Sequence, residues 1–369
     1  MTERTKRMKR STTVALAALL TLCLCLGLCA CMRTQEPLTT LPTTTATDRW
    51  PEVTSEPFPE PPSNFEPQPH TGEGFTAEGH NTGPTQPVAV NPAGFPSREI
   101  LRGSPDSSAG THTGLRPLPA RPLSVADPNN SRGLPTKKVE HAYGVAQNET
   151  PHQISIDFQS FFESKRYAAV AYDKLTREKV LYLTFDCGYE NGNTAKILDV
   201  LRAKSVSAAF FCTVDEMKGA PEVVARMIKE GHIVGNHSVK HPSFAGIGRT
   251  RMAEEVIGAD NYLREHFGYS APFFRFPMGE YNESALDAVA SLGFTSVFWS
   301  AAYADWDTSA QKGAQYALDT VLSRIHPGAI LLLHSVSSDN AAAMADIIDG
   351  ARAMGYAFRN LTELPQLNF

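Results

Sequence analysis

From residue 179 onward, short apolar runs alternate with longer segments in which apolar residues recur every three or four positions. The short runs are typical of buried β-strands, and the longer segments are typical of amphipathic helices. The predicted strands are 180–186, 206–212, 232–236, 273–276, 294–300, 329–334 and 356–360. The predicted helices are 194–204, 221–230, about 250–266, 283–292, 310–325 and 339–354.

Helix boundaries support this assignment. The 194–204 segment places Ile197, Leu198 and Leu201 on one face, and the 221–230 segment begins with Pro221 and ends before Gly231. Strands that alternate with helices form a parallel sheet. About seven such strands are more than most short open sheets contain, so the sequence predicts an α/β fold close to a barrel.

The first 140 residues lack this pattern. Residues 32–140 are rich in Thr, Pro, Gly, Ser and Asn, hold most of the 26 prolines and show no apolar period of 2 or 3.6. Such a composition is typical of disorder. We therefore expect a long disordered tether over 32–140, with a reach of roughly 50–60 Å as a flexible coil. One catalytic domain would then occupy 141–369.

The first 31 residues are similar to a secretory signal. Basic residues between Arg4 and Arg10 precede an apolar run from Thr13 to Leu28, and small residues follow. Residues 28–31, Leu-Cys-Ala-Cys, resemble a bacterial lipobox, in which the signal is cut before a lipid-carrying cysteine, here Cys31. An uncleaved membrane anchor is the alternative, because the apolar run approaches the roughly 20 residues of a membrane span. A membrane-anchored or secreted protein would hold its remaining residues outside the cytoplasm.

Charge and cysteine content argue against a nucleic-acid-binding protein and against a disulfide-stabilised domain. The formal net charge is −5, and no basic stripe with interleaved aromatic residues is present, so we expect no nucleic acid partner. Four of the six cysteines lie in or beside the apolar run, which leaves Cys187 and Cys212 in the folded part. The sequence therefore implies no disulfide framework.

Polar residues stand at the predicted carboxyl ends of several strands, where a β/α barrel gathers its active site. In chain order these residues are Asp186, His237, His241, Arg275, Trp299 and His334. We expect them to converge on one mouth of the barrel. His232 and His326 lie at the opposite ends of their strands and are predicted to be structural.

His237 and His241 are four positions apart, directly after a strand. If the segment forms a helix, both imidazoles lie on one face and can share a metal ion. The spacing alone is weak evidence, because two histidines at this distance are more often surface residues. A strand-end aspartate in the same mouth favours metal binding.

Five motifs in order along the chain resemble the polysaccharide deacetylase family. They are Asp186, the pair His237 and His241, the segment Arg275 to Gly279, the tryptophans Trp299 and Trp306, and Leu333-His334. The resemblance covers about residues 180–364. It implies a distorted parallel (β/α) barrel that removes N-acetyl groups from cell-wall sugars with one divalent metal ion, which we expect to be zinc, with cobalt or manganese as alternatives.

Within the family, two runs look most like the subgroup that makes muramic δ-lactam in spore-cortex peptidoglycan. One is Phe-Asp-Cys-Gly-Tyr-Glu-Asn-Gly at 185–192, and the other spans 324–340. This resemblance implies N-acetylmuramic acid residues of peptidoglycan glycan strands as the substrate. Two alternatives remain: deacetylation of N-acetylglucosamine in peptidoglycan or chitin-like oligomers, and a cell-wall-binding protein that kept the fold but lost hydrolysis.

Amide hydrolysis requires an activated water, a stabilised oxyanion and a proton for the departing amine. A metal ion on the two histidines can polarise the carbonyl and its bound water. Asp186 is the candidate general base, and Arg275 would keep its pKa low. His334 is the candidate general acid, which Asp305 would orient as the resemblance implies.

Further residues are predicted to shape the substrate pocket. The resemblance implies that backbone N–H groups near Tyr281, in the segment that contains Pro277, bind the oxyanion. Trp299 and Trp306 would form an apolar wall against the acetyl methyl group and the sugar ring. Aromatic residues in this stretch are also ordinary core, so both interpretations stay open for Trp299.

Cys187 departs from the family pattern, because most members carry a second aspartate here as a metal ligand. Three interpretations stay open. In the first, Cys187 is not a ligand, which leaves two histidines and waters around the metal ion. In the second, it binds the metal as a thiolate, which zinc accepts. In the third, it forms a disulfide with Cys212 at the end of the neighbouring strand.

Overall fold

The computed structural model describes residues 118 and 120–365. The predicted signal, the lipid-attachment site at Cys31 and the tether up to residue 117 lie outside the described residues. Within the described part of the chain, no helix is long and apolar enough to cross a membrane.

A parallel sheet of eight strands forms the centre of the described chain. Its strands are β2 (Ala169–Val170), β3 (Val180–Cys187), β4 (Ala209–Cys212), β5 (Ile233–Asn236), β6 (Phe273–Phe274), β8 (Thr295–Val297), β9 (Ala329–His334) and β10 (Ala357–Phe358). A separate antiparallel pair consists of β1 (Val139–Glu140) and β7 (Glu280–Tyr281). Each of the seven predicted strands is present, and β2 is an addition to them.

The sheet curls towards a closed barrel. From β3 the strands follow in the order β4, β5, β6, β8 and β2, and β9 pairs with the other side of β3. Beyond β8, Ala301 forms a parallel bridge to Leu331 of β9, which joins the two ends of the sheet. The distorted parallel (β/α) barrel that we predicted is therefore confirmed.

Helices connect the strands and cover the sheet. They are α1 (Gln153–Ser164), α2 (Thr194–Ala203), α3 (Val214–Gly219), α4 (Pro221–Lys229), α5 (Arg249–Phe267), α6 (Glu283–Ser291), α7 (Ala314–Arg324) and α8 (Ser338–Ala353). Of these, α1 and α3 were not predicted. The side chain of Thr213 caps the six-residue α3, which is too short to show a helical period.

Strand β3 crosses the most deeply buried part of the molecule. All eight of its residues are buried, as expected for a strand covered on both faces. Phe185 stacks on Phe210 of β4, with ring centroids 5.0 Å apart. Burying an aromatic side chain of this size contributes about 1.5–3 kcal/mol to stability. The strand ends at Asp186 and Cys187, so a rigid element positions both side chains.

Residues 120–141, here called the N-terminal strap, lie along the domain, although we predicted nearly all of them as linker. The guanidinium of Arg121 lies 4.3 Å from the ring centroid of Phe294 and donates a hydrogen bond to the carbonyl of Gly293. Further along, Val139 pairs with Tyr281 between β1 and β7. The strap ends at His141, next to the segment that follows β6.

Candidate active site

Asp186 lies at the carboxyl end of β3. One carboxylate oxygen accepts a hydrogen bond from Arg275 at 2.8 Å, and the other lies 3.6 Å from Nε2 of His237. Burial on its own would raise the pKa of Asp186, but the charge of Arg275 opposes this most strongly, and the pKa lies below its ordinary value. The carboxylate is therefore ionised at neutral pH.

The guanidinium of Arg275 is fully buried and held on several sides. Its Nε donates to the carbonyl of Val297 at 2.9 Å, and a terminal nitrogen donates to that of Phe298 at 3.3 Å. The same group lies 4.2 Å from the ring centroid of Phe211. Because the planar guanidinium is fixed by these contacts, it holds Asp186 in one orientation.

His237 and His241 lie side by side after β5, with ring centroids 4.8 Å apart. The segment between them is a loop and not the helix that we considered from their spacing. Ser238 and His241 have φ values of 73° and 56°, in the left-handed region. These two residues turn the backbone so that both imidazoles reach the same place.

Buried side chains fix this loop. The carboxylate of Glu255, from α5, accepts hydrogen bonds from the N–H groups of Val239 at 2.9 Å and Lys240 at 2.7 Å. The hydroxyl of Ser238 accepts a hydrogen bond from the N–H of His241 at 2.9 Å. The loop is therefore held by specific polar contacts.

The tautomer of His237 follows from its backbone contact. Its Nδ1 lies 2.9 Å from the carbonyl oxygen of Arg275, so Nδ1 carries the proton and Nε2 presents a lone pair towards Asp186. Metal-binding histidines in proteins usually have this arrangement. Within residues 118 and 120–365, no group of three or more His, Cys, Asp or Glu side chains is arranged to hold a metal ion. What the structure brings together is the histidine pair, with Asp186 beside it.

His334 ends β9, directly opposite Asp186 in the β3–β9 register. Its Nδ1 lies 2.7 Å from one oxygen of Asp305, and its backbone N–H donates to the other at 2.8 Å. Asn340 donates a further hydrogen bond to Asp305 at 2.6 Å. Burial would lower the pKa of His334, but the charge and the hydrogen bond of Asp305 raise it above its ordinary value. The imidazolium form is thus favoured relative to an exposed histidine.

A pocket of about 550 Å³ opens at this end of the barrel. Six of the sequence-predicted residues line it: Asp186, His237, His241, His334, Trp299 and Trp306. The ring of Trp306 meets that of His334 edge-on, with centroids 5.9 Å apart. An ionised carboxylate, an imidazole held by a second carboxylate, a histidine pair and two tryptophans therefore share one cavity.

The predicted Tyr281 and Pro277 are buried residues outside the pocket lining. Tyr281 pairs with Val139 in the small antiparallel sheet. The pocket is reached instead by Met278, which has φ 57°, and by Gly279. Sequence reasoning missed Met278 because its side chain is apolar; its position before Gly279, in the segment that starts at Arg275, was the available signal.

Cys187 follows Asp186 but is not part of the pocket lining. Successive residues of a strand point to opposite sides, and the thiol of Cys187 interacts with Cys212 and Ser335. Burial, followed by the hydrogen bond with Cys212, raises the pKa of the Cys187 thiol well above its ordinary value. Cys187 and Cys212 are register partners on β3 and β4 and are both free cysteines.

Comparison with known proteins places this site in a family. The family model for polysaccharide deacetylase matches residues 173–297. An uncharacterized 30.6 kDa protein of Geobacillus stearothermophilus is 45% identical over 188 residues, which are 51% of this chain and 71% of that protein. The peptidoglycan-N-acetylmuramic acid deacetylase PdaA of Bacillus subtilis is 37% identical over 235 residues, or 63% of this chain and 88% of PdaA. The chain belongs to the polysaccharide deacetylase family.

The solved structure of B. subtilis PdaA, a family 4 carbohydrate esterase, agrees with this assignment. It superimposes on this polysaccharide deacetylase with a TM-score of 0.60, covering 63% of this chain and 98% of PdaA. The family resemblance read from the five motifs is thereby confirmed. This polysaccharide deacetylase is a hydrolase that acts on amide C–N bonds.

Proposed function

We propose that this enzyme removes the acetyl group from N-acetylmuramic acid residues of peptidoglycan, a step towards muramic δ-lactam in spore cortex. The observation that carries the proposal is the pairing of Asp186, ionised against Arg275, with His334 on the adjacent strand. A base and an acid in one pocket supply the two proton transfers that amide hydrolysis needs. The 37% identity to PdaA and the run at 185–192 support muramic acid as the substrate.

His237 and His241 fit one divalent metal ion, which we propose to be zinc, with cobalt or manganese as alternatives. Catalytic zinc sites use nitrogen and oxygen ligands and keep a position for water. The Nε2 lone pair of His237, fixed by the Arg275 carbonyl, supports this use of the pair. When bound, such an ion lowers the pKa of its water and polarises a carbonyl oxygen.

Asp186 acts as the general base in this proposal. Its carboxylate accepts a proton from the water that attacks the acetyl carbonyl carbon. The hydrogen bond from Arg275 at 2.8 Å keeps the carboxylate ionised and aimed into the pocket. Asp186 remains available to take the proton because its pKa lies below the ordinary value.

His334 acts as the general acid. Asp305 holds the Nδ1–H of His334, so Nε2 is the atom that can give a proton to the departing amine nitrogen. The raised pKa of His334 increases the protonated fraction near neutral pH. Acid and base are therefore in opposite protonation states, as the reaction requires.

Backbone and aromatic groups complete the pocket. We propose that the N–H of Met278, at the left-handed turn on the pocket wall, takes the oxyanion role that we expected near Tyr281. Trp299 and Trp306 line the same cavity and would contact the acetyl methyl group and the sugar ring.

The location proposed for the enzyme is outside the cytoplasm. Residues 1–31 would act as a signal, with a lipid on Cys31, an uncleaved anchor or secretion as the three outcomes. The linker would run from residue 32 to the start of the strap, and the catalytic domain would reach the cell wall from the membrane.

Acetate release from defined glycans tests the substrate. Cortex-type glycan strands without stem peptides should give free acetate, and chitin oligomers should give none. The reverse pattern would point to N-acetylglucosamine as the target residue. If no glycan releases acetate in the presence of zinc, cobalt or manganese, the protein is a wall-binding member of the family without hydrolytic activity.

A further inference from the structure

We infer that His141, at the end of the N-terminal strap, is a positioning residue that ties two walls of the pocket together. It is hydrogen-bonded to Gly279 and to Trp299, which both line the cavity. The inference rests on the proposed function of this pocket. It assigns a role to a residue outside the stretch matched by the family model, 173–297.

Two hydrogen bonds define the contact. The backbone N–H of His141 donates to the carbonyl of Gly279 at 2.9 Å, and Nε2 lies 2.8 Å from the carbonyl oxygen of Trp299. A carbonyl oxygen only accepts, so Nε2 carries the proton. Burial lowers the pKa of His141 to about 3, so the ring is neutral and this tautomer is fixed.

The imidazole is also packed among aromatic rings. Its centroid lies 4.6 Å from that of Phe298 and 4.6 Å from that of Phe158, and 4.9 Å from that of Trp299 in an edge-on contact. A Cβ atom added to Gly279 would come within 2.8 Å of the Trp299 ring and 3.3 Å of the Cβ of His141. Gly279, Trp299 and His141 therefore pack so closely that no space for a further carbon atom remains between them.

A histidine at this buried position destabilises the fold unless its N–H group makes a hydrogen bond that no apolar residue could make. The Nδ1 atom of His141 is buried with no hydrogen-bond partner among the described residues. An unsatisfied buried polar atom is destabilising, and a phenylalanine would avoid that loss in the same aromatic surroundings. The Nε2–H donor satisfies the buried carbonyl of Trp299, which a phenylalanine could not do.

The hydrogen bond to Trp299 matters because Trp299 directly follows the two residues whose carbonyl groups hold Arg275. The carbonyls of Val297 and Phe298 accept hydrogen bonds from Arg275, which in turn orients Asp186. A displacement of the Trp299 backbone would therefore reach Asp186 through Arg275. Small errors in the placement of a catalytic group reduce turnover strongly.

Two variants of the full-length protein separate the hydrogen bond from ring packing. His141→Phe keeps a ring and removes the donor, and His141→Gln places an amide N–H near the position of Nε2. We expect His141→Phe to lower kcat by on the order of tenfold with a smaller change in KM. His141→Gln should restore kcat to within about threefold of the unmodified enzyme, because the donor is regained. His232→Phe, which removes another buried histidine far from the pocket, should lose stability without a comparable loss of kcat.

A readout without substrate completes the test. In protein labelled with 5-fluorotryptophan, His141→Phe should shift the fluorine resonance of Trp299, assigned with Trp299→Phe, and leave that of Trp306 in place. Unchanged kcat and an unchanged Trp299 resonance in His141→Phe would overturn the inference. Equal loss of kcat in the Phe and Gln variants, or in His232→Phe, would overturn it as well. If the unmodified protein releases no acetate, the proposed function fails, and the Trp299 resonance still decides the role of His141.

Discussion

The two ends of the barrel both contain buried histidines, but their hydrogen-bond partners differ. At the amino ends of the strands, Nδ1 of His232 accepts a hydrogen bond from the N–H of Ala208 at 3.2 Å, and Nε2 of His326 lies 2.9 Å from the hydroxyl of Ser300. Burial lowers the pKa of both histidines to about 4. At the mouth, by contrast, Asp305 raises the pKa of His334.

Burial alone therefore does not identify a functional histidine. A neutral partner satisfies one ring nitrogen and leaves the imidazole uncharged, whereas a carboxylate fixes the tautomer and stabilises the imidazolium. His334 has such a carboxylate in Asp305. His237 differs, because burial lowers its pKa although Asp186 lies 3.6 Å away, so it stays neutral with a free lone pair on Nε2. At the mouth of the barrel, the His334 side chain can therefore exchange a proton near neutral pH, whereas the histidines at the opposite end stay neutral and serve packing.

The largest effect is expected from Arg275→Met, which removes the central cation of the mouth. Asp186 would lose its main partner and would have to stay buried as an unpaired charge or take up a proton, at a cost of about 3–5 kcal/mol in the free energy of unfolding. Acetate release should fall to background because Asp186 is no longer held ionised and in one orientation by Arg275. Denaturant unfolding and an acetate assay on the same samples measure both effects.

Arg249→Met is the matched control for this variant. Arg249 is also buried, and it donates to the carbonyl of Ser284 and to Asp287 away from the pocket. Its loss should reduce stability while the remaining folded protein keeps its activity. Equal loss of activity in the two variants would mean that Arg275 acts only through stability.

Asp305→Asn should convert His334 into a histidine like those at the opposite end. With Asp305 present, the pKa of His334 lies above its ordinary value, so the protonated acid is lost only as the pH rises through that raised value. Without the charge, burial dominates and the pKa falls. The alkaline limb of kcat/KM should move to lower pH, and the rate near neutral pH should fall by on the order of 10²-fold.

The pH profile of His232→Gln provides the reference for that experiment. This variant changes a histidine at the amino ends of the strands. The acidic and alkaline limbs of its kcat/KM profile should therefore coincide with those of the unmodified enzyme. Superimposable profiles for Asp305→Asn and the unmodified enzyme would show that Asp305 does not control His334.

Gly279→Ala should produce a smaller effect, confined to the pocket wall. Gly279 has φ +68°, and its new Cβ would lie 2.8 Å from the Trp299 ring. The backbone cost is about 1 kcal/mol, and overpacking adds roughly 1–3 kcal/mol. Gly133→Ala has nearly the same φ, +67°, with nothing within 4 Å of its Cβ, so it isolates the backbone cost. Identical unfolding free energies for the two variants would contradict the close contact with Trp299.

Cys187→Ala should have the smallest effect of the series. Because the thiol lies outside the pocket lining, bound metal per chain should equal that of the unmodified protein, with a stability loss of about 1 kcal/mol. His241→Ala should lose metal in the same elemental analysis. A loss of metal in Cys187→Ala comparable to that in His241→Ala would identify the cysteine as a ligand.

The features that sequence predicted well are those dictated by strand topology. Carboxyl ends of parallel strands meet at one edge, so Asp186, His237 and His334 could be brought together from apolar runs and the residues that follow them. The resemblance to the polysaccharide deacetylase family then limited the predicted reaction to the removal of N-acetyl groups. Both inferences depend on short stretches of sequence, namely apolar runs and the motifs that follow them, which can be recognised without a structure.

The missed features depend on backbone geometry and distant contacts. The turn that joins His237 to His241 uses left-handed residues that are not glycine, and no period in the sequence indicates it. Met278 reaches the pocket through its backbone conformation. His141 directly follows the segment predicted as linker, 32–140, and its partner Trp299 is 158 positions away.

The central claim is that Asp186 is the general base of this deacetylase. The most direct test is acetate release by Asp186→Asn, with metal content determined on the same preparation. The account predicts acetate at background level while the metal bound per chain stays close to that of the unmodified protein. Acetate release near the unmodified rate, with metal retained, would contradict it.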